Sequence, residues 1–344
     1  MPSVRASFTE WSIYDARYSV SEVPGELLTH LHYCFLQAHP SQSDHSTLAQ
    51  HCGYNLREYD SAVPVGTVEC HDPHAFERNM RELALFRKTH PNVRTVAVVG
   101  GWILSWNLSS VLREESSRSV FVDSFVALVK RYAFDDIEIC WEHPSAKGVP
   151  YGTHHPEDGT ALALTLRELR RALPESAQTV ISVSAYRPYL QGYVPALSSA
   201  DVVCVMGYDF AGDWSEPGHH SPWNGSPRSV VRSIADVAAF QIPNGQICVG
   251  APMYGRGWGA QTEAPFRVLA SEKGERKYDP EAAAVMLQTE HTLWSYVDVE
   301  GMQSRCTDIV KEGLEGIRLW ELSQDTRPFP TLVAVASVLS DGKT

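Results

Sequence analysis

Residues 134–144 read Phe-Asp-Asp-Ile-Glu-Ile-Cys-Trp-Glu-His-Pro, with apolar and polar side chains in alternation. A period of two is the pattern of a strand, so Glu138, Cys140 and Glu142 share one face. If that face looks into a barrel, Glu138 lies deepest and Glu142 emerges at the C-terminal rim, where barrels build their active sites. A carboxyl group at such a rim suits general acid–base chemistry. Carboxylates pointing into a barrel are costly unless paired or used, because burial disfavours the ionised form. The same alternation also fits a solvated edge strand that carries acids, and the segment alone leaves that alternative open.

The elements that must position these residues follow from periodicity. Short apolar runs at 4–8, 31–36, 93–99, 136–141, 180–184, 202–206, 247–250 and 316–320 read as strands. Amphipathic stretches with three-to-four spacing at 76–88, 119–131, 159–173, 230–239 and 299–311 read as helices. Strands alternating with helices predict an α/β protein, and eight of them fit a (β/α)8 TIM barrel. The main rival is a doubly wound open sheet, but no Gly-x-Gly-x-x-Gly follows the first strand. Two stretches interrupt the repeat. Residues 37–70 read as a long polar loop, and 258–295 as an insertion after the seventh strand that forms a short α+β lobe. Residues 1–344 are therefore expected to be one barrel with that lobe inside it.

Composition excludes several classes of function. The net charge of −12 offers no basic stripe for phosphates, so nucleic acid is not an expected partner. No apolar run approaches the roughly 20 residues that span a bilayer, so a membrane is not expected either. Residues 1–8 lack the basic-then-apolar order of a secretory signal. The seven cysteines contain no Cys-x-x-Cys spacing, and neither a structural metal nor an organic cofactor is implied. Cys34, Cys140, Cys204 and Cys248 sit in apolar runs and read as small core residues; Cys52 and Cys70, in the polar loop, are a candidate pair.

The 134–144 segment resembles the signature of the family 18 glycoside hydrolases, the chitinases: three acidic residues, each on a set spacing, ahead of the catalytic glutamate. Asp135, Glu138, Cys140 and Glu142 fall on those four positions. Further matches follow in the family's order. They are Phe8-Thr9-Glu10-Trp11, Leu28-Thr29-His30, Gly100-Gly101-Trp102, Met206-Gly207-Tyr208-Asp209-Phe210, Met253-Tyr254-Gly255-Arg256-Gly257-Trp258 and Leu319-Trp320-Glu321. Each motif is weak alone, but together they span nearly the whole chain at expected strand ends. The insertion is similar to that of the bacterial and viral branch, whose barrel carries a small α+β lobe.

The resemblance implies chitin or N-acetylglucosamine oligosaccharides as substrate, cleaved with retention through the substrate's own acetamido group rather than a second carboxylate. It implies Glu142 as general acid and later base, and Tyr208 as a hydroxyl donor to the acetamido oxygen. Trp320 would be the floor under the sugar, with Met206, Asp209, Tyr254 and Arg256 lining the cleavage site. Trp11, Trp102, Trp106 and Trp223 are candidate sugar-stacking residues, with core packing as the alternative for each. His32 reads as a satisfied core histidine, and His219-His220 carries no assigned chemistry. Family habit suggests a secreted or extracellular setting; nothing in the sequence names a protein partner.

Departures from the family pattern bear on catalysis. Cys140 stands where an aspartate would accept the acetamido N–H and stabilise positive charge. Losing such a group costs on the order of 10²-fold in rate. Glu138 replaces an aspartate, Asp136 a glycine, Val98 a serine and His143 an aromatic residue. One expectation is that the longer Glu138 reaches upward to replace the missing carboxylate. Three functional readings follow: a chitinase of reduced activity, a non-catalytic lectin for chitooligosaccharides, or a subunit of a larger assembly.

Overall fold

The structure, a computed structural model, describes residues 1–51 and 59–341. The chain opens with β1 (Ser3–Thr9), β2 (His30–Ala38), the helix α1 (Gln42–His51) and the short β3 (Val68–Cys70). Next come α2 (Pro73–Thr89), β4 (Arg94–Gly100), α3 (Gly101–Leu104), α4 (Leu108–Arg113), α5 (Glu115–Tyr132) and β5 (Asp136–Cys140). The pattern continues with α6 (Asp158–Ala172), β6 (Thr179–Ser184), α7 (Arg187–Leu197), β7 (Val202–Met206), α8 (Val230–Ala238) and β8 (Ile247–Pro252). An insertion follows, made of β9 (Tyr254–Gly259), β10 (Glu263–Pro265), α9 (Phe266–Leu269), β11 (Glu275–Asp279), β12 (Ala284–Gln288) and β13 (Thr292–Tyr296). The chain then returns through α10 (Val299–Lys311), β14 (Gly316–Trp320) and α11 (Pro330–Asp341).

The large sheet runs β1-β14-β8-β7-β6-β5-β4-β2, and pairing of β1 with β2 closes it into a parallel barrel. This is the expected (β/α)8 TIM barrel. Helix starts are set by local chemistry. Asp72 caps α2 by accepting from the N–H groups of His74 and Ala75, Pro73 follows in the first turn, and Asp298 caps α10 through the Gly301 N–H. The outer core lies between strands and helices, where outward-facing Ile137, Ile139, Val203 and Val205 meet Leu162, Leu166 and Phe125.

The barrel interior is polar. Arg5, Ser7, His32, Glu138, Ser182 and Arg318 are all buried there. Glu138 thus sits in a closed interior, not on a solvated edge strand. The expected long polar loop at 37–70 instead contains α1 and β3, which pairs antiparallel with β2. Cys52, half of the candidate cysteine pair, lies outside the described residues. Cys34, Cys140, Cys204 and Cys248 are buried.

The insertion forms a second, antiparallel sheet in the order β10-β9-β13-β12-β11. Its own core holds Phe266, Leu269, Leu287, Trp294 and Tyr296. The sheet begins at Tyr254, four residues before the expected start at 258, so Tyr254 and Arg256 sit on the strand that joins lobe and barrel.

Candidate active site

Beneath the rim, Glu138 is fully enclosed. Ser182 donates its hydroxyl to Oε1 at 2.6 Å, His32 Nδ1 lies 2.7 Å from Oε2, and the Arg318 guanidinium contacts Oε1. Burial works to raise the Glu138 pKa, but Arg318, the His32 bond and Ser182 together hold it down to about 2. His32, buried and close to Arg318, is lowered to about 3 and is therefore neutral, donating Nδ1–H to the carboxylate. Arg318 also donates to Ser7 Oγ at 3.1 Å and to Ser182 Oγ at 3.0 Å, and reaches Cys34 Sγ at 3.5 Å. Both Glu138 oxygens are thus engaged, and the expectation that Glu138 reaches upward to replace a missing carboxylate does not hold. An added methylene and a facing guanidinium turn the side chain into a structural ion pair.

One layer higher, Cys140 is buried among Cys34, Phe35, Val98, Leu104 and Met206, with Tyr208 and Trp320 alongside. Burial, then Glu142 and Glu138, push its thiol well above the ordinary value, so it is a neutral S–H. Its sulfur lies 4.0 Å from Glu142 Oε1, toward which the thiol donates. The position two residues before the acid therefore presents a weak donor.

Glu142 sits just beyond β5. Its backbone N–H donates to Ser105 Oγ at 3.0 Å, and that hydroxyl donates to the Gly101 carbonyl at 2.6 Å. The paired glycines make this junction possible. Both have positive φ, and a Cβ on Gly100 would lie 2.1 Å from the Cys140 carbonyl oxygen. Burial, followed by repulsion from Asp209 and only partly offset by Arg318, raises the Glu142 carboxyl to about 7. A carboxyl group poised there exchanges protons near neutrality.

Asp209 supplies the fixed charge opposite. Its carboxylate accepts from Tyr254 Oη at 2.8 Å and from Arg256 Nε and Nη2 at 2.8 and 3.0 Å. Burial alone would raise its pKa, but bonds from His220 and Arg256 hold it well below the usual carboxylate range. His220, which drew no assignment from sequence, lies fully buried with Nδ1 3.9 Å from Asp209. Tyr208 packs edge-on to Tyr254 with centroids 6.1 Å apart, and burial pushes its phenol well above the ordinary value, so it remains a donor.

Aromatic residues pave the rim. Phe35 stacks on Trp320 at 5.4 Å and 24°, and Trp11 lies 6.1 Å from Phe35. Trp11 and Trp102 are about half exposed, at 50% and 48%. Trp106 and Trp223 are instead buried: Trp106 packs on Val149, and the Trp223 indole donates to Asp308 at 2.6 Å. For these two, core packing displaces sugar stacking. His143 stacks on Tyr189 at 4.4 Å, so an imidazole keeps the flat contact of the aromatic ring it replaces.

Several site residues carried no signal that was used. Phe35 and Arg318 face the same interior as Cys140 and Trp320, and strand alternation within 316–320 would have flagged Arg318. Trp214, 59% exposed, lies under the Arg256 guanidinium at 5.1 Å and belongs to an irregular loop with no periodicity to read.

Comparison with known proteins matches this geometry. A model described as glycosyl hydrolases family 18 matches residues 6–325. Chitinase A1 of Niallia circulans is 25% identical, over 92% of this chain and 56% of that protein. Endochitinase 1 of Metarhizium robertsii is 24% identical, over 96% of this chain and 83% of that protein. Among solved structures, chitinase ChiA74 from Bacillus thuringiensis superposes with a TM-score of 0.88 at 24% identity, covering 100% of this chain and 70% of that one. This chain thus spans a little over half the length of Chitinase A1. With the barrel, the rim carboxyl and the family match agreeing from the first strand to beyond the last, the chain belongs to glycosyl hydrolases family 18.

Proposed function

We propose that this chain is a chitinase-type glycosidase that binds β-1,4-linked N-acetylglucosamine oligomers and hydrolyses them slowly. One observation carries the reading: the Glu142 carboxyl, raised to about 7, stands at the rim beside the Phe35–Trp320 stack. A protonated Glu142 gives its proton to the glycosidic oxygen as that bond breaks. The acetamido oxygen forms the new bond to the anomeric carbon, and the ionised Glu142 later takes a proton from the attacking water. Tyr208 donates to the acetamido oxygen, Trp320 supports the apolar face of the sugar, and Asp209 with Tyr254 and Arg256 gives a rigid polar wall. The weak link is Cys140, whose S–H meets the acetamido N–H donor to donor.

Two measurements test this. Turnover of a chromogenic chitooligosaccharide is expected to fall on the order of 10²-fold or more in Glu142→Gln while oligomer binding persists; equal turnover in both proteins rejects Glu142 as the acid. The wild-type kcat/KM is expected to decline as pH rises through about 7, because the reactive form is the protonated one. A profile flat from pH 6 to pH 9 contradicts that protonation state.

The neutral thiol beside Glu142 favours a second reading, a lectin that holds the oligomer without cutting it. Calorimetry separates the two. Heat of binding with intact oligomer recovered after prolonged incubation supports the lectin, and loss of that heat in Trp320→Ala places the ligand on the aromatic floor.

A further inference from the structure

On the same face of the barrel, a cavity of about 350 Å³ lies between the loop after β1, the loop after β14 and helix α9. Its wall continues from the site, because Leu322 and Ser323 follow Trp320 directly in the chain. Four ionisable side chains other than tyrosine line it: Arg17, Arg267, Arg327 and Asp325. Three cations therefore gather in one place on a chain whose net charge is −12.

The acids nearby are already engaged. Asp325 accepts from the Thr326 N–H at 2.8 Å, the Thr331 hydroxyl at 3.1 Å and the Leu332 N–H at 3.3 Å. Glu321 holds the Ser323 N–H at 3.0 Å and its hydroxyl at 2.7 Å. Glu22 pairs with one end of Arg327 at 2.6 Å, while the Arg327 guanidinium lies over the Tyr18 ring at 5.6 Å. Arg267 gives one N–H to the Ser323 carbonyl at 2.5 Å and pairs with no carboxylate within 4.0 Å among the described residues. Arg17 is exposed and likewise makes no such pair.

A second, independent feature points to a ligand. Tyr18, 2% exposed, lines the cavity, and its hydroxyl finds no hydrogen-bond partner among the described residues. A buried hydroxyl without a partner is unfavourable, and such groups are usually satisfied. Burial, then Glu321 and Glu22, raise this phenol, so it remains an O–H donor. The cavity thus offers a phenol donor and guanidinium forks, the donor set that recognises an oxyanion. Its volume falls at the low end of the range of small-molecule sites, enough for one sugar ring.

We propose that this cavity is a subsite for a sugar unit bearing an oxyanion, a carboxylate or sulfate, on a chain that also occupies the Trp320 floor. The saccharide half of this claim rests on the function proposed above; the anion half does not.

Calorimetry at low ionic strength tests both halves with three probes: a neutral chitopentaose, the same oligomer oxidised to carboxylates at C6, and inorganic sulfate. The carboxylated oligomer is expected to bind about ten-fold tighter than the neutral one, with the advantage lost in the Arg17→Gln/Arg327→Gln variant and in concentrated salt. Neutral-oligomer affinity stays unchanged in that variant. Tyr18→Phe is expected to weaken the carboxylated oligomer alone while raising the thermal midpoint, because it removes an unsatisfied hydroxyl; a purely structural tyrosine would leave binding untouched. Equal affinity for neutral and carboxylated oligomers overturns the subsite and leaves saccharide binding intact. Sulfate binding that depends on the arginines, with neither oligomer bound, overturns the saccharide assignment.

Discussion

Cys140→Asp is expected to raise kcat on N-acetylated chitooligosaccharides by about 10²-fold, the scale associated with one preorganised charge at a reacting centre. The substitution exchanges an S–H donor for a carboxylate acceptor at the position that meets the acetamido N–H, and it places negative charge beside the cation that forms. Two neighbours oppose ionisation of the new aspartate: Glu142, 4.0 Å from the present sulfur, and Glu138 one layer below. Arg318 favours it, since its charge already acts to lower the Cys140 thiol. Glu142 is protonated below about pH 7, so over that range it offers the aspartate a proton donor and not a second charge. Cys140→Asn supplies an acceptor without charge and is expected to give a smaller gain. Equal rates for the aspartate and asparagine variants would mean that charge at this position contributes nothing.

The second large effect is on stability. Arg318→Met leaves the Glu138 carboxylate in the barrel without its cation, and breaking a buried pair in this way costs about 3–5 kcal/mol. Urea unfolding measures it as a fall in the midpoint. The pH dependence has a definite sign. In the wild type Glu138 is lowered to about 2, so its ionised form stabilises the fold above the usual carboxylate value, and that contribution is lost as pH falls toward 2. Without Arg318, burial dominates and raises the folded-state value, so the variant loses stability as pH rises past the unfolded value. The difference between the two proteins is therefore expected to be small near pH 4 and full at pH 7. Arg318→Met/Glu138→Gln removes both charges and is expected to recover most of the loss; failure to recover would assign the effect to packing of the arginine stem.

Much of this was legible in one dimension. Strand–helix alternation gave the barrel because each apolar run is short and each amphipathic stretch returns at helical spacing. Period-two alternation alone put Glu138, Cys140 and Glu142 on one face. Contacts that depend on closure were not legible. Arg318 and Glu138 are separated by 180 residues and meet only across the barrel interior. Trp11 and Trp223 are the same residue type in comparable loops, and only loop packing decides that one faces solvent while the other bonds Asp308. Helix α7 was hidden by Pro188, Gly192 and Pro195, residues that ordinarily break helices. Pro188 falls in its first turn, and Gly192 is there because a Cβ would lie 1.9 Å from the Pro144 carbonyl oxygen, just beyond the site. Strand β9 was read late because the glycines in Tyr-Gly-Arg-Gly-Trp-Gly weaken a strand pattern.

The central claim is that Glu142 is a competent acid whose work is limited by the residue two positions before it. Steady-state turnover of Cys140→Asp against Cys140→Asp/Glu142→Gln tests both halves at once. The expected result is that the gain from aspartate disappears when Glu142 is replaced, with oligomer affinity retained. A double variant that keeps the gain would show that some other group donates the proton, and the assignment of Glu142 would fall.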